Sequence, residues 1–271
     1  MDDFFIAFAL FVFGLIVGSF LNVCIVRLPH EQSIVHPRSH CVHCQKMIPR
    51  YDNVPVLSYI FLTGRCRFCK KPISLRYMIV ELTTGMMFLV LYRTFRMDWV
   101  LLPYLVMVCG FIVATFVDFE HRIIPDEVSV GGMVVGIIFS LLIPALHLAN
   151  SEMDHGFKSN VLSLGRSLIG VLVGGGSIYA IGVLGDIIFK KESMGGGDVK
   201  LMAMMGAFMG WKLTLLAFFI APFFGAVYGI VEKIRTKDSA IAYGPFLVIG
   251  AIISLLWGEH ILSWIIGGYQ L

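Results

Sequence analysis

Charge is what this sequence has least of. Only 14% of its 271 residues are Asp, Glu, Lys or Arg, against about 25% in an average soluble domain, while 58% are hydrophobic. Such a deficit points to lipid. The net charge of +3 leaves no basic excess of the kind that binds nucleic acid. Two phosphate-binding patterns are also missing: the Gly-rich turn here lacks the lysine spacing of a nucleotide-binding loop, and no Gly-x-Gly-x-x-Gly follows a strand. No internal repeat is visible, which argues against the paired halves of a secondary transporter.

Long uncharged runs stand in place of charge. Phe4 to Val26, Trp99 to Val117, Val128 to Leu148, Ser167 to Gly185, Leu213 to Val231 and Ala240 to Gly258 each reach the roughly 18 residues a spanning helix needs. Two less clean spans run from about Met78 to Tyr92, carrying Glu81, and from about Asp198 to Trp211. The expected fold is therefore an all-α polytopic membrane protein of about eight transmembrane helices. The first run is too long for the apolar core of a signal peptide, and Arg27 follows rather than precedes it, so it is expected to remain as the first transmembrane helix.

Lys and Arg accumulate on the cytoplasmic side of membrane proteins. The loop from Arg27 to Arg76 holds nine of them, and alternation of the spans puts sixteen of the 21 on that loop's side. The remaining five are Arg93, Arg96, Lys158, Arg166 and Lys212. The loop is expected in the cytoplasm and both termini outside it. The corresponding division is residues 1–26 as first helix, 27–77 as cytoplasmic loop and 78–271 as membrane core.

Within the loop, Cys41-Val42-His43-Cys44 and Cys66-Arg67-Phe68-Cys69 make two Cys-x-x-Cys knuckles separated by 21 residues, a zinc-ribbon spacing. Four thiolates would hold a structural Zn2+ with no position left for water, and a loop without a large core needs such a staple. Two disulfides or free thiols are the alternative, which a reducing cytoplasm disfavours. His40 and His43 could replace a cysteine ligand. Cys24 and Cys109 lie in apolar spans and suit packing.

Two acidic motifs fall on the loop's side of the membrane. The first is Asp118-Phe119-Glu120-His121-Arg122-Ile123-Ile124-Pro125-Asp126. Asp126, after a helix-breaking proline, is explained as the cap of the next helix. Asp118 is not, because a helix C-terminus disfavours negative charge. The second motif is Ser193-Met194-Gly195-Gly196-Gly197-Asp198-Val199-Lys200. Its glycines, Gly195, Gly196 and Gly197, leave room for an extended peptide, although a plain glycine turn with Asp198 as N-cap explains them too. Two carboxylates meeting in a low-dielectric site share a proton and titrate as a pair, which is aspartic-protease chemistry. Asp118 and Asp198 are the candidate catalytic pair. For Glu81 a pairing with Arg76 or Lys71 at the membrane border is expected, and for Asp186 one with Lys190 or Lys191. A proton-coupled carrier and a zinc-loop scaffold remain as rival readings, the latter leaving Asp118 unexplained.

The Gly-x-Gly-Asp turn followed by Val-Lys-Leu, the Asp six residues before Ile124-Pro125-Asp126, and the four-cysteine loop resemble the type IV prepilin peptidase family. The likeness extends to Gly18 through Val23, Arg27-Leu28-Pro29, Asn53-Val54-Pro55, Gly64-Arg65-Cys66-Arg67 and Arg76-Tyr77 with Val80-Glu81. It implies a bacterial inner-membrane enzyme that removes the basic leader from prepilins and pseudopilins and then methylates the new N-terminus with S-adenosylmethionine. It implies Asp118 and Asp198 as the catalytic pair, and Asp126 as a recurring but non-catalytic position. The cysteine loop would serve methyl transfer and leader recognition. Val42 and Met78 stand where that family often has proline. No S-adenosylmethionine motif is readable, and Glu81 is a weak candidate for methyl transfer.

Overall fold

The computed structural model describes residues 2–148, 156–190, 194–236 and 242–267. Eight helices carry these segments: α1 (Asp2–Arg27), α2 (Leu57–Phe61), α3 (Arg76–Phe95), α4 (Leu101–His121), α5 (Asp126–Leu142), α6 (Phe157–Phe189), α7 (Gly196–Thr236) and α8 (Gly244–Gly267). No strand occurs among the described residues, only two isolated bridges. Lys191, Ser193, Lys237 and Ala240 lie outside the described residues.

Six helices, α1, α3, α4, α6, α7 and α8, are long and apolar enough to cross a bilayer. The difference from the expected count of about eight comes from two details. At 17 residues α5 reaches about 25 Å at 1.5 Å per residue, close to a bilayer core. At 41 residues α7 would be about 60 Å long if straight, twice that core. It is broken at Gly210, where φ is 70° and ψ 172°, into segments 196–209 and 211–236. These correspond to the short and long spans expected on either side of Trp211.

The chain divides into two compact units, Met1–Val113 and Ala114–Leu271. In the first, α1 packs on α3 through glycines. A Cβ on Gly14 would lie 2.8 Å from the Gly85 Cα, and one on Gly18 2.7 Å from the Glu81 Cα. Four residues apart, Gly14 and Gly18 form the small-residue stripe that lets two helices in lipid touch backbone to backbone. At the far end of the pair, Asp3 accepts hydrogen bonds from the Tyr92 hydroxyl at 2.6 Å and the Arg96 guanidinium at 2.7 Å.

In the second unit the first half of α7 is the central element. Leu201, Met202, Met204, Met205, Ala207 and Phe208 are buried. Gly170 and Gly206 bring α6 and α7 so close that a Cβ on either would overlap the other's backbone carbonyl. Gly136 of α5 similarly makes room for the Phe208 ring, 2.8 Å from its ideal Cβ. The break at Gly210 frees the Ala207 carbonyl from its helical partner, and lipid supplies no substitute donor. His147 Nε2 at 3.0 Å and the Ser167 hydroxyl at 2.9 Å donate to it instead. Large apolar side chains such as Leu172, Ile187, Phe223 and Val227 are exposed, as lipid-facing residues are.

Candidate functional site

Asp118 sits in the last turn of α4, where its own helix offers the carboxylate nothing. Its partner comes from α8. The Gly244 amide donates to Asp118 Oδ2 at 2.9 Å. Gly244 is the first residue of α8, and Tyr243 before it caps the helix, its carbonyl accepting from Phe246 at 3.0 Å and Leu247 at 3.3 Å. The Gly244 N–H is one of the orphan donors every helix start carries, here aimed at a carboxylate.

Asp198, by contrast, lies in the first turn of its own helix, α7. It is the third residue of that helix, not the N-cap. Its N–H donates to the Gly195 carbonyl at 3.1 Å, and its carboxylate reaches back to the Gly195 amide. The carboxylate thus makes the N3-to-N-cap half of a capping box, and Gly195, having no side chain, answers with its backbone carbonyl. Asp118 and Asp198 are both buried, 6% and 9% exposed, and Asp118 is near enough for its charge to act on Asp198. Two helix starts, α7 and α8, thus turn their positive ends toward one acidic pair.

Ile124 wedges the three segments together. An ideal Cβ on Gly197 would be 3.2 Å from the Ile124 Cβ, and one on Gly244 would be 3.1 Å from its Cδ1. Of the three glycines before Asp198, Gly195 has only the Asp198 carboxylate near its Cβ position, at 3.6 Å, and Gly196 has nothing within 4 Å. Asp126 differs from expectation. Pro125 is the N-cap of α5, Asp126 is the first helical residue, and no side chain caps. Its carboxylate bonds Lys200 Nζ at 2.7 and 2.9 Å. Sequence reasoning missed Tyr243 and Gly244, because the last apolar run passes through them. The Gly244-Pro245 pair, a helix-start signal, was the available clue. Tyr243 is half-buried, and its phenol is pushed up to about 12 by burial and then by the Asp198 charge.

In the first unit the four candidate metal ligands converge. The sulfurs of Cys41, Cys44, Cys66 and Cys69 all lie within 4.8 Å of one another, and Cys41 and Cys69 are 3.8 Å apart. A tetrahedron with metal–sulfur bonds of about 2.3 Å has edges of about 3.8 Å, so the set fits a metal ion. The second knuckle repeats the first 25 positions on, Cys41 to Cys66 and Cys44 to Cys69. Cys41 and Cys66 each donate an amide to the residue five further on, Lys46 and Lys71, and accept from Gln45 and Lys70. Those two donors, Gln45 and Lys70, both have φ of 58°. Backbone amides of Cys69 and Phe68 point at the Cys66 sulfur and hold its thiol down. The His40 ring bonds the Arg38 carbonyl at 3.1 Å rather than joining the sulfurs.

Glu81 is not paired as expected. It is 7% exposed, accepts the Val56 amide at 2.7 Å and bonds the Ser19 side chain. Val56 holds φ 61° and ψ −52°, and the Leu57 amide reaches the Pro55 carbonyl at 2.6 Å, a tight γ-turn that the buried carboxylate pins in place.

A multi-pass helical membrane protein with a buried acidic pair facing two helix starts and a cluster of four cysteine sulfurs is the class these features define. Residues 12–95 match the bacterial peptidase A24 N-terminal domain, and residues 105–230 match the type IV leader peptidase family. The chain is 32% identical to the prepilin leader peptidase/N-methyltransferase of Aeromonas hydrophila, over 94% of this chain and 91% of that one. It is 31% identical to that of Pseudomonas aeruginosa over 92% and 89%. With the one of Myxococcus xanthus it shares 39% over 84% of this chain, spanning 63% of that relative's length. No solved structure matches. The chain belongs to the type IV leader peptidase family.

Proposed function

We propose that this chain is a prepilin leader peptidase with N-methyltransferase activity, and that Asp118 and Asp198 cut the leader of prepilins and pseudopilins. The observation that carries this reading is the meeting of two buried carboxylates, each met by a backbone amide at the start of a helix. In the aspartic scheme the ionised carboxylate takes a proton from water as the oxygen bonds to the scissile carbonyl carbon. The protonated carboxylate gives its proton to the carbonyl oxygen. Collapse of the tetrahedral adduct breaks the C–N bond: the leaving nitrogen takes up the proton first removed from water, and one adduct hydroxyl returns its proton to the carboxylate that had protonated the carbonyl oxygen. Gly195 and Gly196 leave the open side of the turn along which an unwound segment of substrate lies, while Gly197 lets Ile124 pack close beneath it. Unwinding in lipid is costly, which suits a site at the membrane border.

In this reading residues 27–77 form the module that serves methyl transfer, with Zn2+ held by Cys41, Cys44, Cys66 and Cys69 as a structural ion that leaves no position for water. S-adenosylmethionine supplies the methyl group. The loop faces the cytoplasm of a bacterium, the termini face the periplasm, and the inner membrane holds the helices, as the Lys and Arg distribution supports.

The test is co-expression with a tagged prepilin in cells lacking their own peptidase, with mass spectrometry of the product's N-terminus. Asp118→Asn and Asp198→Asn should each abolish leader removal while the proteins still insert. Continued cleavage by either variant overturns the dyad.

A further inference from the structure

We infer that the start of α8 is a third part of the peptidase site, in which the Gly244 amide positions the Asp118 carboxylate and no side chain at 244 is compatible with that arrangement. This rests on Asp118 and Asp198 being the catalytic pair and adds a residue that neither acidic motif contains. Asp118 stands at the C-terminal end of α4, where the helix dipole opposes its charge. Relief has to come from elsewhere. The Gly244 N–H at 2.9 Å provides it, at the positive end of α8.

Geometry makes the glycine specific. An ideal Cβ at position 244 would lie 2.8 Å from Asp118 Oδ2, 3.4 Å from its Cγ and 3.1 Å from Ile124 Cδ1. The first of these is closer than real Cβ atoms come, and Asp118 Oδ2 is the same oxygen the amide holds. A methyl group therefore pushes away the atom the amide is there to fix. The φ of Gly244 is not in the left-handed region, so the requirement is for close approach and not for a special backbone conformation. On the other side of the turn, the Tyr243 ring edge would be 3.5 Å from an ideal Cβ on Gly225 of α7. Gly244 is a positioning residue, because it acts through Asp118.

The experiment uses the full chain in lipid nanodiscs with a purified prepilin, measuring kcat, KM and melting temperature. Gly244→Ala should lower kcat roughly 100-fold, the cost of displacing a reacting group by about 1 Å. KM should stay within about twofold of wild type, since leader and helix binding do not run through Asp118. Gly225→Ala places a methyl in ordinary contact with Tyr243 and should retain the wild-type kcat. Should Gly244→Ala fail to fold through its clash with Ile124, the double variant Gly244→Ala/Ile124→Val removes that atom and leaves the Asp118 contact alone. It should fold and remain slow. A kcat within threefold of wild type in the folded Gly244→Ala, or recovery of kcat in the double variant, overturns the inference. Asp118→Asn and Asp198→Asn run alongside, and if they cleave it is the dyad that fails.

Discussion

Lys200 Nζ reaches both carboxylate oxygens of Asp126, at 2.7 and 2.9 Å, and so ties the start of α5 to the first turn of α7, two residues from Asp198. The pair is exposed, 45% and 62% by side chain. Exposed ion pairs contribute about 0–1 kcal/mol. Asp126→Asn and Lys200→Gln should therefore each reduce leader cleavage by no more than about fivefold. The double variant should be no worse than the poorer single one, because both remove the same contact. A loss comparable with that of Asp118→Asn would instead place Asp126 in the chemistry.

The cysteine cluster predicts a separable defect. Cys44→Ser or Cys69→Ser removes one of four ligands whose sulfurs lie within 4.8 Å of one another. Zinc content, read by elemental analysis, should fall from about one ion per chain to near zero, since structural sites use all four ligands. N-terminal methylation should fall with it, while leader removal persists. Full zinc occupancy in either serine variant would show that the cluster is not the metal site.

At the break in α7, the Ala207 carbonyl has two donors, His147 Nε2 and the Ser167 hydroxyl. Removing one leaves the other, so His147→Ala or Ser167→Ala should cost about 1 kcal/mol each. Removing both strands the carbonyl, and the double variant should lose more than the sum of the singles. Melting in detergent of the three variants tests this. Additive losses would mean that water or lipid headgroups reach the break.

Close packing of α6 on α7 sets a sharper requirement. Gly170→Leu or Gly206→Leu forces a side chain into the opposing backbone and should prevent folding, whereas Gly176→Leu, with nothing within 4 Å of its Cβ position, should be tolerated. Membrane yield and size-exclusion behaviour distinguish them. Equal yields of Gly170→Leu and wild type would contradict the helix contact described.

The spans were legible because lipid demands long uncharged runs, and the four cysteines because a tetrahedral site fixes spacing. Helix ends were less so. The run from Val128 to Leu148 looks continuous, yet α5 stops at Leu142 because Pro144 starts a short 3-10 turn. The partner of Asp118 was missed because Gly244 lies 126 residues away inside an apolar run: Gly244-Pro245 marks a helix start, but nothing local says which carboxylate that start faces. Asp126 as cap and Glu81 beside Arg76 or Lys71 were natural local guesses. Tertiary partners, Lys200 and the Val56 amide, took those carboxylates instead.

Glu81 offers a last test, of stability alone. Its carboxylate holds the Val56 amide at 2.7 Å, at a β-branched residue with φ of 61°. Positive φ is strained for valine and persists only when neighbours over-determine it. Glu81→Ala leaves that amide without its acceptor and should cost about 1–3 kcal/mol. Glu81→Gln keeps an acceptor oxygen and should cost markedly less. Limited proteolysis between residues 50 and 60 reads the difference directly, because release of the γ-turn exposes that stretch. Equal cleavage rates for Glu81→Ala and wild type would show that Val56 is held by its surroundings rather than by Glu81.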